Sequence, residues 1–171
     1  MRRKRAYCHT LLHRIETQNI PDKANAVVLP PVLFAVALLV GLLMEYAVPM
    51  PVLPRTPARW LGIFLILGSL PIGLSAIREL FKANTALDVR KPTTVIVKTG
   101  PFRFSRNPIY IALILFYVGI ALLINSLWVC LLVVPAVAIL QIGVIRREES
   151  YLEQKFGEDY RRYKAVVRRW I

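Results

Sequence analysis

The sequence is poor in cysteine, histidine and acidic residues: of 171 residues, two are Cys, two are His and ten are Asp or Glu. Cys8 stands in a basic tail and Cys130 in a long apolar run, so no disulfide framework exists and no metal spacing is formed. His9 and His13 are separated by i, i+4, a spacing that can bind metal, but no third ligand lies near them. A solvated or interfacial helix is the plainer reading of that stretch. The chain also has no glycine-rich dinucleotide loop, no internal repeat and no low-complexity tract.

Apolar sequence is abundant, at 56% of the residues, and it is clustered. Val27–Met44 and Trp60–Ile77 are each 18 residues without a charge, and Ile109–Ile145 is a run of 37 interrupted only by Asn125, Ser126 and Gln141. A helix rises about 1.5 Å per residue, so roughly 18–20 residues cross a hydrocarbon core. The long run is therefore two spans with a turn at 125–126. The expectation is one all-α integral membrane domain over 27–171, with spans at about 27–46, 60–77, 109–124 and 127–145. The last two form a helical hairpin. A basic tail (1–26), a cytosolic loop (78–107) and an amphipathic C-terminal helix (146–171) complete it.

Charge gives the orientation. Lys and Arg number 6 before the first span, 2 in 49–59, 7 in 78–107, none at the 125–126 turn and 8 after Ile145. This alternation follows the positive-inside rule with both termini cytoplasmic, in the cell inner membrane if the source is bacterial. The basic flanks favour anionic lipid headgroups. The net charge of +13 is divided among separate segments, whereas a nucleic-acid surface needs one continuous basic face, so nucleic acid is excluded as a partner. The stretch MRRKR lies about twenty polar residues before Val27, too far for a cleaved signal peptide.

Other features bear on packing. VPMPVLPRTPAR (48–59) has four prolines in twelve residues and predicts a stiff extended loop. Pro71 predicts a kink in the second span. Gly62, Gly68, Ser69, Gly73, Ser75 and Ala76 predict close approach of a neighbouring helix. Glu45 is expected to reach the interface. The segment TTVIVKTG (93–100) predicts an extended loop against the membrane face. Leu152, Phe156, Tyr160, Tyr163, Val167 and Trp170 recur at helical spacing and predict one face of a helix lying in the interface plane, which Gly157 would bend.

Two stretches carry chemistry. In TGPFRFSRNPIY (99–110), Asn107 suits an N-cap and Pro108 the first helical position. The amides of Ile109 and Tyr110, with Arg103 and Arg106 alongside, would form an anion site; an ordinary capped, basic flank fits equally well. In RREESYL (146–152), the apolar stripe traced backwards reaches Glu148 and Glu149, so one carboxylate falls on a face that should meet protein or lipid. A solvated Arg146–Glu149 pair is the plainer alternative. An anion site facing a carboxylate suits an amino-acid zwitterion.

TVIVKTGPFRFSRNPIY, followed after a two-helix hairpin by REESYLEQKFGEDYRRYKAVVRRWI, resembles the isoprenylcysteine carboxyl methyltransferase family and the related phospholipid methyltransferases. The likeness covers about Thr93 to Ile171. It implies an S-adenosylmethionine-dependent methyltransferase without a Rossmann domain, acting on a membrane lipid or lipidated acceptor, with carboxyl O-methylation the leading reaction. It further implies that a strand at Thr94, Val95, Ile96 and Val97 lines the cofactor. Gly100 turns the loop into that site and Phe102 contacts the cofactor. Asn107, Pro108, Ile109 and Tyr110 hold its methionine end, and Glu148 binds it from the fourth helix. Arg106, Arg147 and Glu149 are the candidate catalytic residues: an arginine for the acceptor's anionic group, and Glu149 as the base an amine acceptor would need. The family often has His where this chain has Asn107, and the substrate-contacting arginine of some members falls here at Val144. A nicotinamide-dependent reductase of related fold and a non-enzymatic membrane protein are the alternatives.

Overall fold

A computed structural model describes residues 28–85 and 93–171. The basic tail, with the solvated or interfacial helix expected around His9 and His13, lies outside the described residues. The helices are α1 (Pro30–Ala47), α2 (Arg55–Lys82), α3 (Pro108–Ile124), α4 (Leu127–Leu140), α5 (Arg146–Phe156) and α6 (Glu158–Val166). A short 3-10 turn spans Gly100–Arg103, and a π-helical turn, Gln141–Ile145, joins α4 to α5.

The chain is an integral membrane protein. Among the described residues, three helical stretches are long and apolar enough to cross a membrane: α1, α2 and the continuous run Leu127–Phe156. The fourth expected span, α3, is apolar but 17 residues long, about 25 Å at helical rise.

Small residues decide the packing. A Cβ on Gly62 would sit 2.7 Å from the Gly119 carbonyl oxygen, and one on Gly119 would sit 2.6 Å from Ile66 Cγ1. The backbones of α2 and α3 therefore touch, as the small-residue stripe predicts. Ser69 and Ala76 are buried on the same face, but a Cβ on Gly68 would meet nothing within 4 Å. The α1–α4 contact works in the same way, with Gly41 against the Val129 backbone. Between the pairs, Phe34, Tyr117, Val129, Ala136 and Leu140 share one core, and Phe34 meets Tyr117 edge-on at 5.4 Å.

Asn125 and Ser126 make the predicted hairpin turn. Asn125 adopts the left-handed conformation (φ 59°), and the Ser126 hydroxyl accepts from the Val129 amide. The Asn125 side chain also holds the proline-rich loop, accepting from the Val52 and Leu53 amides and donating to the Leu53 carbonyl. Glu45 accepts from the Met50 amide and so also serves this loop.

Several boundaries differ from expectation. Helix α2 begins at Arg55 inside the proline-rich segment, because Pro54 and Pro57 stand before or within a first turn that has no use for their missing amides. It continues unbroken past Pro71 to Lys82, because Arg78, Glu79 and Lys82 end the apolar run but favour helix. The expected 78–107 loop is correspondingly shorter. No strand is present among the described residues: Thr93–Lys98 is irregular chain with a bend at Val95. The expected single helix over 146–171 is two helices, broken at Gly157 (φ 53°) and ending at Val166. Its stripe turns inward, with Tyr160, Tyr163 and Val167 packed on Ile96, Leu152 and Phe156.

Candidate functional site

The inward turn of α6 encloses a recess with about 860 Å³ of empty space, counting its open mouth. One wall is the irregular segment after residue 92, through Thr93, Val95, Ile96 and Val97; another is Phe102 with the start of α3; the third comprises Glu148, Glu149 and Leu152 of α5 and Tyr160 and Tyr163 of α6. The Tyr163 hydroxyl donates to the Phe102 carbonyl at 2.7 Å and ties α6 to the 3-10 turn.

Of the residues singled out in the sequence, Val95, Ile96, Val97, Phe102, Arg106, Asn107, Pro108, Ile109, Tyr110, Glu148 and Glu149 line this recess. Three do not. Thr94 turns away and bonds Thr85 and the Asn84 carbonyl at the end of α2. Gly100 (φ 58°) packs against Glu79, where a Cβ would come within 2.8 Å of Glu79 Cγ, so its part is to let the loop pass α2. Arg147 is exposed, outside the recess lining. Arg103 is likewise exposed.

The start of α3 is built differently from the expected cap. Pro108 takes the first helical position, but Asn107 makes no side-chain cap. Its side-chain amide donates instead to the Arg169 carbonyl at 3.0 Å, and its backbone N–H donates to Ser105 Oγ. The Asn107 carbonyl accepts from both Tyr110 and Ile111, so the Tyr110 amide is occupied. Of the two amides expected to face an anion, Ile109 alone lacks a backbone acceptor.

The charged groups form a chain. Glu148 accepts from the Tyr110 hydroxyl at 2.9 Å, across the α3–α5 junction. Glu149 is buried and pairs on one side with Arg106 (3.2 Å). On the other it accepts from Arg169 Nε (3.0 Å) and Nη2 (2.7 Å), a fork that raises the arginine's own pKa. The Arg106 side chain is only 8% exposed, yet its Nε and Nη1 have no hydrogen-bond acceptor. The Tyr160 hydroxyl lies beside it. A buried guanidinium with two unmade bonds costs stability unless something completes it.

The sequence reading missed Arg169, Tyr160 and Tyr163 as parts of the site. The tyrosines were visible only as an apolar stripe. Arg169 was one of eight basic residues after Ile145 with nothing to distinguish it.

The phospholipid methyltransferase family matches residues 57–159, a range that takes in most of α2 as well as the C-terminal motifs. The sequence likeness began only at Thr93, so the family's extent reaches a helix in which no signature had been read. An uncharacterized protein of Haemophilus influenzae is 40% identical over 62 residues, 36% of this chain and 98% of that protein. The cobalt-zinc-cadmium resistance protein CzcN of Cupriavidus metallidurans is 31% identical over 106 residues, 59% of this chain but only 48% of that protein. Among the described residues no group of three or more His, Cys, Asp or Glu is placed to hold a metal ion. No solved structure matches the chain.

Proposed function

The chain belongs to the phospholipid methyltransferase family, and on that premise we propose that it is an S-adenosylmethionine-dependent methyltransferase whose acceptor is a lipid-like, membrane-embedded carboxylate. The observation that carries this reading is the pairing, in one recess, of a Glu148 carboxylate and an Arg106 guanidinium with two unmade hydrogen bonds. A carboxylate and a cation facing one space match the ammonium and carboxylate of an amino acid, the end by which S-adenosylmethionine differs from other adenosine ligands. Arg106 and the Ile109 amide take the carboxylate, Glu148 takes the ammonium, and the Tyr110 hydroxyl fixes the Glu148 carboxyl. The apolar wall of Val95, Ile96, Val97 and Phe102 suits the adenosine.

The bound cofactor supplies an electrophilic methyl group on sulfur. The protein's part is to align the nucleophile with it and to exclude water, which the tyrosines of α6 and the apolar wall do. A carboxylate acceptor arrives ionised at neutral pH and needs no base. An amine acceptor needs one, and the candidate for that task, Glu149, has both oxygens engaged by arginines. This favours carboxyl O-methylation. We read the chain as four spans, α3 being the short one, with both termini cytoplasmic; on that reading the recess faces the cytosol, which supplies the cofactor, and the acceptor enters from the bilayer.

The test is the thermal stability of the detergent-solubilised protein with S-adenosylhomocysteine and, separately, with NADPH. The first is expected to raise the melting temperature by several degrees and the second to leave it unchanged. Stabilisation by NADPH alone overturns the reading.

A further inference from the structure

The residues around Arg169 are held in place with more bonds than a surface tail needs. Its carbonyl accepts from Ser105 Oγ (3.1 Å) and from the Asn107 side-chain amide (3.0 Å), and the Arg168 carbonyl accepts from the Arg106 amide (3.0 Å). Trp170 Nε1 donates to Gln141 Oε1 in the π-turn at 3.2 Å. The effect is to fix the Arg169 guanidinium over Glu149 as a two-point fork.

Glu149 has two arginines to choose from, and its choice decides what is left of Arg106. A carboxylate prefers a bidentate guanidinium partner. With Arg169 supplying that fork, Glu149 meets Arg106 through Nη2 alone at 3.2 Å, and Arg106, which lines the recess, keeps Nε and Nη1 buried without an acceptor. Without Arg169, nothing prevents Glu149 from closing side-on over Arg106 Nε and Nη2, neutralising the cation that faces the ligand. We infer that Arg169 is a positioning residue: by occupying Glu149 it leaves Arg106 Nε and Nη1 uncommitted, so that a carboxylate entering the recess can complete them. This inference rests on the cofactor reading above.

The experiment uses the full chain and two ligands, with affinities measured by calorimetry. S-adenosylhomocysteine carries the amino-acid end, and 5′-methylthioadenosine lacks it. Failure of the wild type to bind S-adenosylhomocysteine sinks the cofactor reading itself. Given binding, Arg169→Ala is expected to weaken S-adenosylhomocysteine at least tenfold and to change methylthioadenosine less than twofold. Adding Glu149→Ala to Arg169→Ala removes the competing carboxylate and is expected to recover most of the lost affinity. Should Arg169→Ala fail to fold, Arg169→Gln keeps the stem and carries the same expectation. Equal weakening of both ligands marks a merely structural tail and overturns the inference. So does an unchanged affinity for S-adenosylhomocysteine, or a double variant as weak as the single.

Discussion

Glu148→Ala is expected to abolish detectable binding of S-adenosylhomocysteine while leaving the protein folded. The two halves of that result have one origin. Glu148 lines the recess beside Glu149, where a carboxylate is held at some cost to stability. Removing it breaks its hydrogen bond to the Tyr110 hydroxyl across the α3–α5 junction but leaves the small-residue contacts that hold the bundle together intact. The ligand's ammonium, in contrast, loses the carboxylate placed to receive it. Truncating one partner of a buried charge pair costs on the order of 2–5 kcal/mol, or roughly 30- to several-thousand-fold in affinity. Binding titrations alongside a melting curve separate the two halves. Unchanged affinity would remove Glu148 from the site, and a collapsed melting transition would make it a structural residue.

Gly119→Val should have the largest effect on stability of any single change in the helix bundle. A Cβ there would lie 2.6 Å from Ile66 Cγ1 and 2.9 Å from the Gly62 carbonyl oxygen, and the second contact is backbone that cannot rotate away. The α2–α3 crossing must open for even one methyl group, and valine adds two more. Overpacking costs typically 1–3 kcal/mol where side chains can give, and more where they cannot. Because α3 starts at the recess, the opened crossing also moves Pro108 and Tyr110. Gly68→Ala on the same α2 helix is the control: its Cβ would meet nothing within 4 Å, and alanine favours helix by about 1 kcal/mol. A sharp loss of folded, monodisperse protein is expected for the first and none for the second. Equal behaviour of the two would place the crossing elsewhere.

The sequence made some of this legible for identifiable reasons. Asn125-Ser126 is the only two-residue polar break in 37 apolar residues, and Asn is one of the few residues that enters the left-handed region easily. Pro108 at a helix start follows from its missing amide. The close α2–α3 contact follows from glycine spacing, although sequence could not tell Gly62, which makes it, from Gly68, which does not.

What stayed hidden depends on backbone geometry that composition does not record. The stripe from Leu152 to Trp170 keeps helical spacing straight through Gly157, so its period hides the full break, and only the glycine itself marks the expected bend. The direction in which the stripe faces was inferred from aromatic and arginine content, which suits an interface plane and a protein wall equally. The π-turn is hidden likewise. QIGVI reads as ordinary apolar helix, yet one inserted residue there rotates everything after it, including the acidic pair. Asn107 shows the remaining difficulty. Its type suits an N-cap, but a carbonyl from more than sixty residues away takes its amide, and no local reading can anticipate a partner at that distance.

The central claim is methyl transfer from S-adenosylmethionine to a carboxylate on a lipid-like acceptor. The direct measurement is incubation of the purified protein with methyl-labelled cofactor and a total lipid extract, followed by alkaline treatment of the labelled lipid fraction. A methyl ester hydrolyses to volatile methanol, whereas a methylamine keeps its label. The account predicts label in the lipid fraction that is released by alkali and absent with Glu148→Ala. Alkali-stable label would contradict the carboxyl acceptor, and no lipid label with wild-type protein would contradict the account as a whole.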